Sequence, residues 1–459
     1  MNEIGEFDVA IVGAGDVGAA IARELARFQL RVVLFDAGDV GAGTSKANTA
    51  ILHTGFDARP GTLEAKLVPR GHALLSAYAE QVGIPVERTG ALLVAWNEAE
   101  LGRLGEIEEN ACACGHEPLG RVSAEQLYER EPDLGPGALA ALEVPGEAII
   151  CPWTPPLAYA TQALLAGVEI RRYERVTGLA ATPDGWQLRT PAGAVGARWL
   201  INAAGLYADE LHRQAGFDGF TVTPRRGELI VFDKLARPLV SQIVMPVPTS
   251  RTRGVLITPT VFGNVMLGPT AEDVTDKRAT GTTAAGIERL RTLGRRLLPA
   301  LVDYEVTATY AGLRAATEHD DYQLILDPDS RYVCAAGIRS TGLTASMAIA
   351  EWVREQLGDA GLELRETADG LPEIRMPNLG ERSLRPYQDA ERIAADPAYG
   401  EIVCLCERVT WGELRDALAA PLTPRDLDGL RRRTRVLTGR CQGFYCAAQV
   451  GRALEAGGR

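Results

Sequence analysis

The chain has 459 residues, 46% hydrophobic and 24% charged, with a formal net charge of −12 and a pI near 5.2. That length predicts two or three domains at roughly 100–200 residues each, with ample apolar material for a core. The acidic balance argues against nucleic-acid binding, which needs clustered positive charge, and no apolar run approaches the ~20 residues of a membrane span.

The opening residues, Met1 to Phe7, carry neither a basic n-region nor an apolar h-region. No signal peptide is therefore expected, and the protein reads as cytoplasmic, with any membrane contact coming through a partner. Its eight cysteines are expected to stay reduced.

Phe7 to Val12 reads as a buried strand. Gly13-Ala14-Gly15-Asp16-Val17-Gly18 follows at once, then helical spacing of apolar residues from Val17 to Phe28. A second strand, Arg31 to Phe35, ends in Asp36. Strand, glycine loop, helix and strand in this order make G-x-G-x-x-G a dinucleotide fingerprint. The glycines serve a tight turn, close approach to pyrophosphate and close helix–strand packing. The pyrophosphate is received by the helix N-terminus, and Asp36 is placed to accept from ribose hydroxyls. No second G-x-G-x-x-G occurs, so a single tightly bound dinucleotide is expected.

Cys112 and Cys114, beside Asn110 and His116, read as ordinary thiols or as a small metal site, and Cys151 and Cys334 as packing residues. Leu157–Leu165 reads as a helix and Ala197 to Gly205 as a buried strand ending in a glycine turn. From Thr221 to Thr270, the apolar stretches Gly227–Asp233, Gly254–Pro259 and Gly263–Gly268 alternate with Pro and Gly turns and read as β-rich. Thr282 to Leu298 reads as a helix and Arg331 to Gly337 as a strand. Ser340 to Thr344 then leads into a helix ending near Leu357. Residues 358–400, with scattered Pro, Gly and charge, read as a linker or extended docking segment.

The last sixty or so residues look helical. Thr410-Trp411-Gly412-Glu413 is a capping box. Thr423-Pro424 reads as an N-cap with proline at the first helical position, and a third helix follows the Cys441–Cys446 loop. The segment has few large apolar residues, and a domain this small usually needs a metal or cluster. Cys404 and Cys406 form C-x-C; Cys441 and Cys446 form C-x4-C after a gap of 34 residues (441 − 406 − 1). Four thiolates are the donor set of a [2Fe–2S] cluster. Zinc, which prefers C-x2–4-C pairs, and unligated thiols are the alternatives. Arg431, Arg432, Arg433, Arg435 and Arg440 precede and flank Cys441. They offset cluster charge, form a docking face or line a solvated helix face. A dinucleotide at one end and a one-electron centre at the other predict an oxidoreductase with an internal relay.

Asn48-Thr49-Ala50-Ile51-Leu52-His53-Thr54-Gly55, Asn202 to Gly205, Pro224 to Glu228, Tyr310 to Arg314 and Gly337 to Thr344 resemble the D-amino-acid-oxidase-like flavoprotein superfamily. Within it they are similar to the branch of FAD-dependent glycerol-3-phosphate dehydrogenases and L-2-hydroxyglutarate oxidases. Cys404-Leu405-Cys406 with Gly439-Arg440-Cys441-Gln442-Gly443 resembles bacterioferritin-associated-ferredoxin-like [2Fe–2S] domains. The anaerobic glycerol-3-phosphate dehydrogenase A-subunit type has this same order of parts. The resemblance covers nearly the whole chain.

It implies an α/β fold. A Rossmann-like FAD-binding domain (1–80, 141–223 and 305–360) holds an inserted antiparallel β-rich substrate domain (81–140 and 224–304). A linker (361–398) and a small helical [2Fe–2S] domain (399–459) follow. It also implies FAD, with residues 13–18 and Asp36 on the ADP half. Thr44, Ser45, Asn48 and the stretch to His53 line the flavin, with Ala204 and Gly205 in the same site. Gly337, Arg339, Gly342, Leu343 and Thr344 close over the isoalloxazine.

The implied reaction takes hydride from a small anionic alcohol, glycerol 3-phosphate first, to FAD. Electrons then pass singly through the cluster to an electron-acceptor protein or quinone-linked subunit. Arg314 is the candidate anion clamp, with Arg225, Arg226, Arg251 and Arg253 next; Gly312 is expected to let backbone approach the flavin. His53 and His319 are candidate bases for the alcohol proton. One position departs from the respiratory dehydrogenases, which tend to carry an arginine four residues after the histidine. Here that position is Asp57, and Arg59 stands at a different spacing. Gly55 to Leu63 looks more like the 2-hydroxyacid members. An L-2-hydroxyacid dehydrogenase or an amino-acid or opine dehydrogenase of the same fold is therefore an alternative. An electron-transfer subunit with a silent substrate pocket is the alternative from another class.

Overall fold

The computed structural model describes residues 7–248 and 254–457; residues 1–6, Arg251 and Arg253 lie outside the described residues. β1 (Phe7–Val12), α1 (Asp16–Leu25) and β2 (Val32–Asp36) follow the apolar spacing of the chain. β1 lies between β2 and the strand Gly193–Asn202, parallel to both. Tyr332–Ala336 extends this parallel set on one side and Glu169–Arg172 on the other. Antiparallel strands complete an eight-stranded sheet.

The period of two along β1 divides the core. Val9 and Ile11 pack with α1 and its neighbouring helices, while Ala10 and Val12 pack with Trp186, Leu188 and Phe220 on the other face; Phe7, the first residue of the strand, departs from the alternation and joins that second cluster. α1 packs between Thr154–Leu165 and Gly342–Asp359. Parallel strands covered on both faces read as nearly continuous apolar runs, which is why β1 was legible.

The second sheet has nine strands and carries Thr223–Phe232, Val265–Gly268, Leu256–Pro259 and Ile243–Pro246 in sequence, then Ala91–Ala95 and Ala140–Val144. Its pairs are antiparallel except Ile243–Pro246 with Ala91–Ala95. Two stretches sit differently from the sequence-based boundaries. Val306–Ala316, at the start of 305–360, pairs along Thr223–Phe232 in this sheet, with Arg314 opposite Arg225 and Gly312 opposite Gly227. Ala140–Val144, at the head of 141–223, pairs with Ala91–Ala95. Pairing partners are set by contacts distant in the chain, and strand propensity alone cannot choose between sheets.

Residues 361–385 form a strap. Gln29 N–H donates to the Arg365 carbonyl, Met376 N–H to Val82 and Glu381 N–H to Val261. Leu362 and Leu379 are buried in the main core. At the C-terminus Trp411–Ala419 has its capping box between Thr410 and Glu413. Thr423-Pro424 opens no helix. The next one, Leu427–Thr434, starts at Asp426, whose side chain accepts from Gly429 N–H at 2.6 Å. A carboxylate at the N-cap competes successfully with a threonine three residues earlier, whose hydroxyl turns back to the Ala420 carbonyl.

Three of the arginines before Cys441, Arg432, Arg433 and Arg435, are buried in ion pairs rather than solvated, whereas Arg440 is exposed. Arg432 and Arg433 reach buried Asp39, just after β2. Arg435, 1% exposed, meets Glu381 and Glu407 and lies over the Phe262 ring at 4.5 Å. Arg440 pairs with Asp233 and Glu305. These ion pairs fasten the C-terminal domain to both sheets. Among the described residues no helix is long and apolar enough to cross a membrane.

Candidate functional site

A cleft of about 460 Å³ is lined from both sheets. Gly13, Gly15, Asp16 and Val17 form one wall, where β1 turns into α1. Gly13 has φ +109°, and a Cβ there would lie 2.3 Å from the Ala203 carbonyl oxygen. One at Gly18 would lie 1.8 Å from the Gly13 carbonyl oxygen. These two glycines serve the turn and helix–strand packing, whereas Gly15 meets only Ser45 Oγ, at 3.0 Å. Gly15 is thus the glycine that leaves room for a ligand.

Asp36 ties the loop together. Its Oδ2 accepts from Ala14 N–H and its Oδ1 from Gly38 N–H, both at 2.7 Å. Burial raises its carboxyl above the ordinary range, with those two N–H groups acting the other way. Asp36 also lines the cleft, while Ala14 and Gly18 are not among its lining residues.

Thr44, Ser45 and Asn48 line the next wall. Thr44 Oγ1 donates to the Leu313 carbonyl at 2.9 Å, and Asn48 Nδ2 donates to the Ser45 carbonyl at 2.8 Å. Gly312 also lines the cleft. A Cβ at Gly312 would lie 2.2 Å from the Ala47 carbonyl oxygen. The residue therefore admits the 44–48 loop against the second sheet. Ala204 and Gly205 line the cleft beyond the Gly193–Asn202 strand. Gly337, Arg339, Gly342 and Leu343 line it from the far half of the chain, and Arg339 donates to the Asp320 carbonyl.

His53 lines the cleft, and its backbone N–H donates to Thr344 Oγ1 at 3.0 Å. Its Nδ1 lies 3.1 Å from Oε2 of Glu147, a fully buried carboxylate. Glu147 Oε1 accepts from Thr54 N–H at 2.7 Å and from Thr54 Oγ1 at 2.9 Å. Burial alone would raise the Glu147 carboxyl. The His53 imidazole and the two Thr54 donors outweigh it and hold the group below the usual carboxylate range. Sequence reasoning passed over Glu147. Its signal was a lone carboxylate in the apolar stretch Val144-Pro145-Gly146-Glu147-Ala148-Ile149-Ile150.

His319 is not brought to this pair. It is exposed, its Nε2 lies 2.8 Å from the Gly219 carbonyl, and it does not line the cleft. Arg314 and Arg225 line the cleft side by side on paired strands. Arg225 is forked onto Asp273 at 2.6 and 3.0 Å, whereas Arg314 Nη1 donates to the Thr270 carbonyl at 3.4 Å. Arg226 turns to Glu228 and Glu272. Asp57 lines the cleft; Arg59 points outward, paired with Asp320 at 3.1 Å.

At the C-terminus Cys404 and Cys446 are buried, and Cys406 and Cys441 half-buried. The thiols meet in two pairs, Cys406 with Cys441 and Cys404 with Cys446. Burial and the nearby Cys404 push the Cys446 thiol up to about 12. The Tyr445 N–H, followed by the Cys406 side chain and then the N–H groups of Gly443 and Phe444, outweighs burial and holds the Cys441 thiol below its ordinary value. Backbone N–H groups aimed at sulfur stabilise a thiolate, and two pairs of thiolates are the donor number of a two-iron cluster. Among the described residues no three His, Cys, Asp or Glu side chains group to hold a single ion. Cys112 is exposed, and Cys114 Sγ donates to the Ala58 carbonyl at 3.5 Å.

A dinucleotide cradle of this topology, joined to a four-cysteine helical domain, defines a flavoprotein with an iron–sulfur appendage. Residues 8–356 match the family described as FAD dependent oxidoreductase, and residues 402–456 match the BFD-like [2Fe-2S] binding domain. The chain is 34% identical over 447 residues to a glycerol 3-phosphate dehydrogenase of Caloramator mitchellensis, covering 97% of this chain and 93% of that one. It is 30% identical over 273 residues to an L-2-hydroxyglutarate dehydrogenase of Escherichia coli, covering 58% of this chain and 64% of that one. Among solved structures it resembles the dithionite-reduced L-alpha-glycerophosphate oxidase of Mycoplasma pneumoniae with FAD bound. That match has a TM-score of 0.76 and 30% identity, covering 81% of this chain and 99% of that one.

The chain belongs to the FAD-dependent oxidoreductase family. Within it, this is a glycerol-3-phosphate dehydrogenase- or oxidase-like enzyme with a [2Fe–2S] domain, and FAD and the cluster are its cofactors.

Proposed function

We propose that the enzyme oxidises glycerol 3-phosphate and that its electrons leave one at a time through the cluster to an acceptor protein or quinone-linked subunit. The observation that carries this reading is buried Glu147 holding His53 in a cleft that also presents Arg314. The dehydrogenase relative, similar over both parts of the chain, supports the same substrate. A cytoplasmic location, expected from the sequence, belongs to the same proposal.

Each residue has a task. With Nδ1 turned to Glu147, His53 presents Nε2 to the cleft, free to take the alcohol proton. Glu147 orients the ring and offsets the charge it acquires. Arg314, with Arg225 beside it, holds the anionic end of the substrate in one orientation. Gly13, Gly15, Asp36 and the N-terminus of α1 hold the dinucleotide, and Thr44, Ser45 and Asn48 shape the wall beside it. FAD, when bound, supplies the hydride acceptor. Cys404, Cys406, Cys441 and Cys446 hold the one-electron centre. His319, outside the cleft, has no part in this scheme.

A second reading has its own observation. Asp57 lines the cleft where a phosphate-clamp arginine is expected, and Arg59 points away from it. That pattern favours an L-2-hydroxyacid. Anaerobic bleaching of the flavin absorbance with glycerol 3-phosphate, L-2-hydroxyglutarate, glycine and proline separates the readings. Bleaching by glycerol 3-phosphate is expected. Bleaching by L-2-hydroxyglutarate alone transfers the assignment to the second reading, and bleaching by glycine or proline alone to an amine dehydrogenase. A flavin that responds to none of them until a partner is added makes the chain an electron-transfer subunit.

A further inference from the structure

Asp16 sits in the first turn of α1, between Gly15 and Val17, at the helix end that receives pyrophosphate. The residue is 6% exposed and lines the cleft. Its backbone N–H donates to Ser45 Oγ at 2.9 Å. Its side-chain oxygen Oδ1 is buried without a hydrogen-bond partner. A buried polar atom in that condition, facing a ligand cleft, is one the ligand is expected to satisfy. A carboxylate there would set one negative charge against those of the pyrophosphate in a poorly solvated place. A carboxylic acid would carry no charge and would offer an O–H donor.

Among the described residues no cation pairs with Asp16, so only the N-terminus of α1 and Ser45 favour its ionised form. On its own helix Arg23 is turned to Gln162, at 2.6 Å, and lies over the Tyr78 ring. From the neighbouring helix Tyr159 faces the same region, and Ser346 Oγ of the next helix donates to its hydroxyl at 3.5 Å. From β2, Asp36 adds a second carboxyl, engaged by the Ala14 and Gly38 N–H groups. Among the described residues, Ser45 is the group that acts to lower the pKa of Asp16.

We propose that Asp16 enters the FAD-bound state as a neutral carboxylic acid, so that the apoprotein takes up a proton as it binds the dinucleotide. Burial pushes the Asp16 carboxyl up to about 7 before any ligand arrives, with Ser45 only partly offsetting it. The pyrophosphate charge moves it higher, since a nearby anion disfavours ionisation. The binding-competent form is the protonated one. Affinity is therefore full below neutrality and is lost as pH rises, by about tenfold per pH unit, until the bound form itself ionises.

The test uses the full chain, stripped of FAD with the cluster in place, titrated with FAD by flavin fluorescence between about pH 6 and 9. The dissociation constant is expected to rise about tenfold per unit above neutrality. Calorimetry near pH 8 in buffers of different ionisation enthalpy is expected to report uptake of about one proton. Asp16→Asn keeps an N–H donor without ionising and is expected to bind FAD with no such slope and no proton uptake. Asp36→Asn is expected to weaken binding while keeping the slope. A flat wild-type profile, no proton uptake, or an unchanged slope in Asp16→Asn overturns the proposal. If Asp16→Asn does not fold, wild-type calorimetry alone decides it.

Discussion

Asp39 is where the C-terminal domain is most exposed to a single change. Its side chain is 1% exposed, and Arg172 Nη1 meets Oδ1 at 2.8 Å. Arg433 Nη1 meets Oδ2 at 2.7 Å and Arg432 Nη2 meets it at 3.3 Å. Arg172 belongs to the strand beside β2, whereas Arg432 and Arg433 belong to the Leu427–Thr434 helix. Asp39→Asn removes the buried negative charge that the three guanidinium groups share and leaves only the half-exposed Asp428, which of the three meets Arg432 alone. Breaking a buried pair from one side costs about 3–5 kcal/mol, and the amide oxygen of asparagine retains one acceptor, which favours the lower end. Urea unfolding should show that loss. Hydrogen exchange should show early opening of residues 427–434 while β1 stays protected.

The same carboxylate sets an acid limit. Burial raises Asp39, but the hydrogen bonds and charges of Arg433 and then Arg172 outweigh it and hold the group below its ordinary value. A depressed folded value means that its contribution is complete above the unfolded value of about 4 and is lost as pH falls through the folded one. Asp39→Asn should lack that acid-dependent loss. A variant within about 0.5 kcal/mol of wild type, the range of ordinary surface changes, with unchanged exchange at 427–434, would refute the assignment of Asp39 as the fastening point.

Cys441→Ser should abolish the [2Fe–2S] absorption and the bound iron while FAD is retained, because the cysteines and the cleft lie in separate parts of the chain; stoichiometric zinc without iron in the wild type would contradict this. Glu147→Gln should lower kcat about ten- to hundredfold, the equivalent of ~1.5–3 kcal/mol for a charge-assisted hydrogen bond, without loss of FAD; normal kcat would remove Glu147 from the mechanism. Arg314→Met should raise KM for anionic substrates by a similar factor, and Arg314→Lys should restore little because it lacks the guanidinium fork; unaltered kinetics would move the clamp to Arg225. Gly312→Ala places a Cβ 2.2 Å from the Ala47 carbonyl oxygen and should cost about 1–3 kcal/mol as overpacking, read as a lower melting temperature and weaker FAD retention; no change in either would show that the loop has room to move.

Sequence by itself determined the features that are local in the chain. Strand, glycine loop, helix and Asp36 fall within thirty residues, so one short pattern carries the whole cradle. The Thr410–Glu413 capping box is equally local and was legible for the same reason. The cysteine quartet was legible because few other roles suit two close pairs of thiols in a segment with little apolar material. Tertiary structure decided everything that depends on which distant residue lies opposite. Glu147 acquires its role only because its turn folds over His53 and Thr54. Arg432 and Arg433, on a helix whose pattern suits solvent, become buried because Asp39 waits on another element. Val306–Ala316 joins the second sheet because Thr223–Phe232 offers its edge along the whole length. Gly312 is a glycine because the Ala47 carbonyl arrives there. An ion pair or strand pairing between remote positions leaves no periodic trace in either segment, and a charged residue reads as solvated until its partner is known.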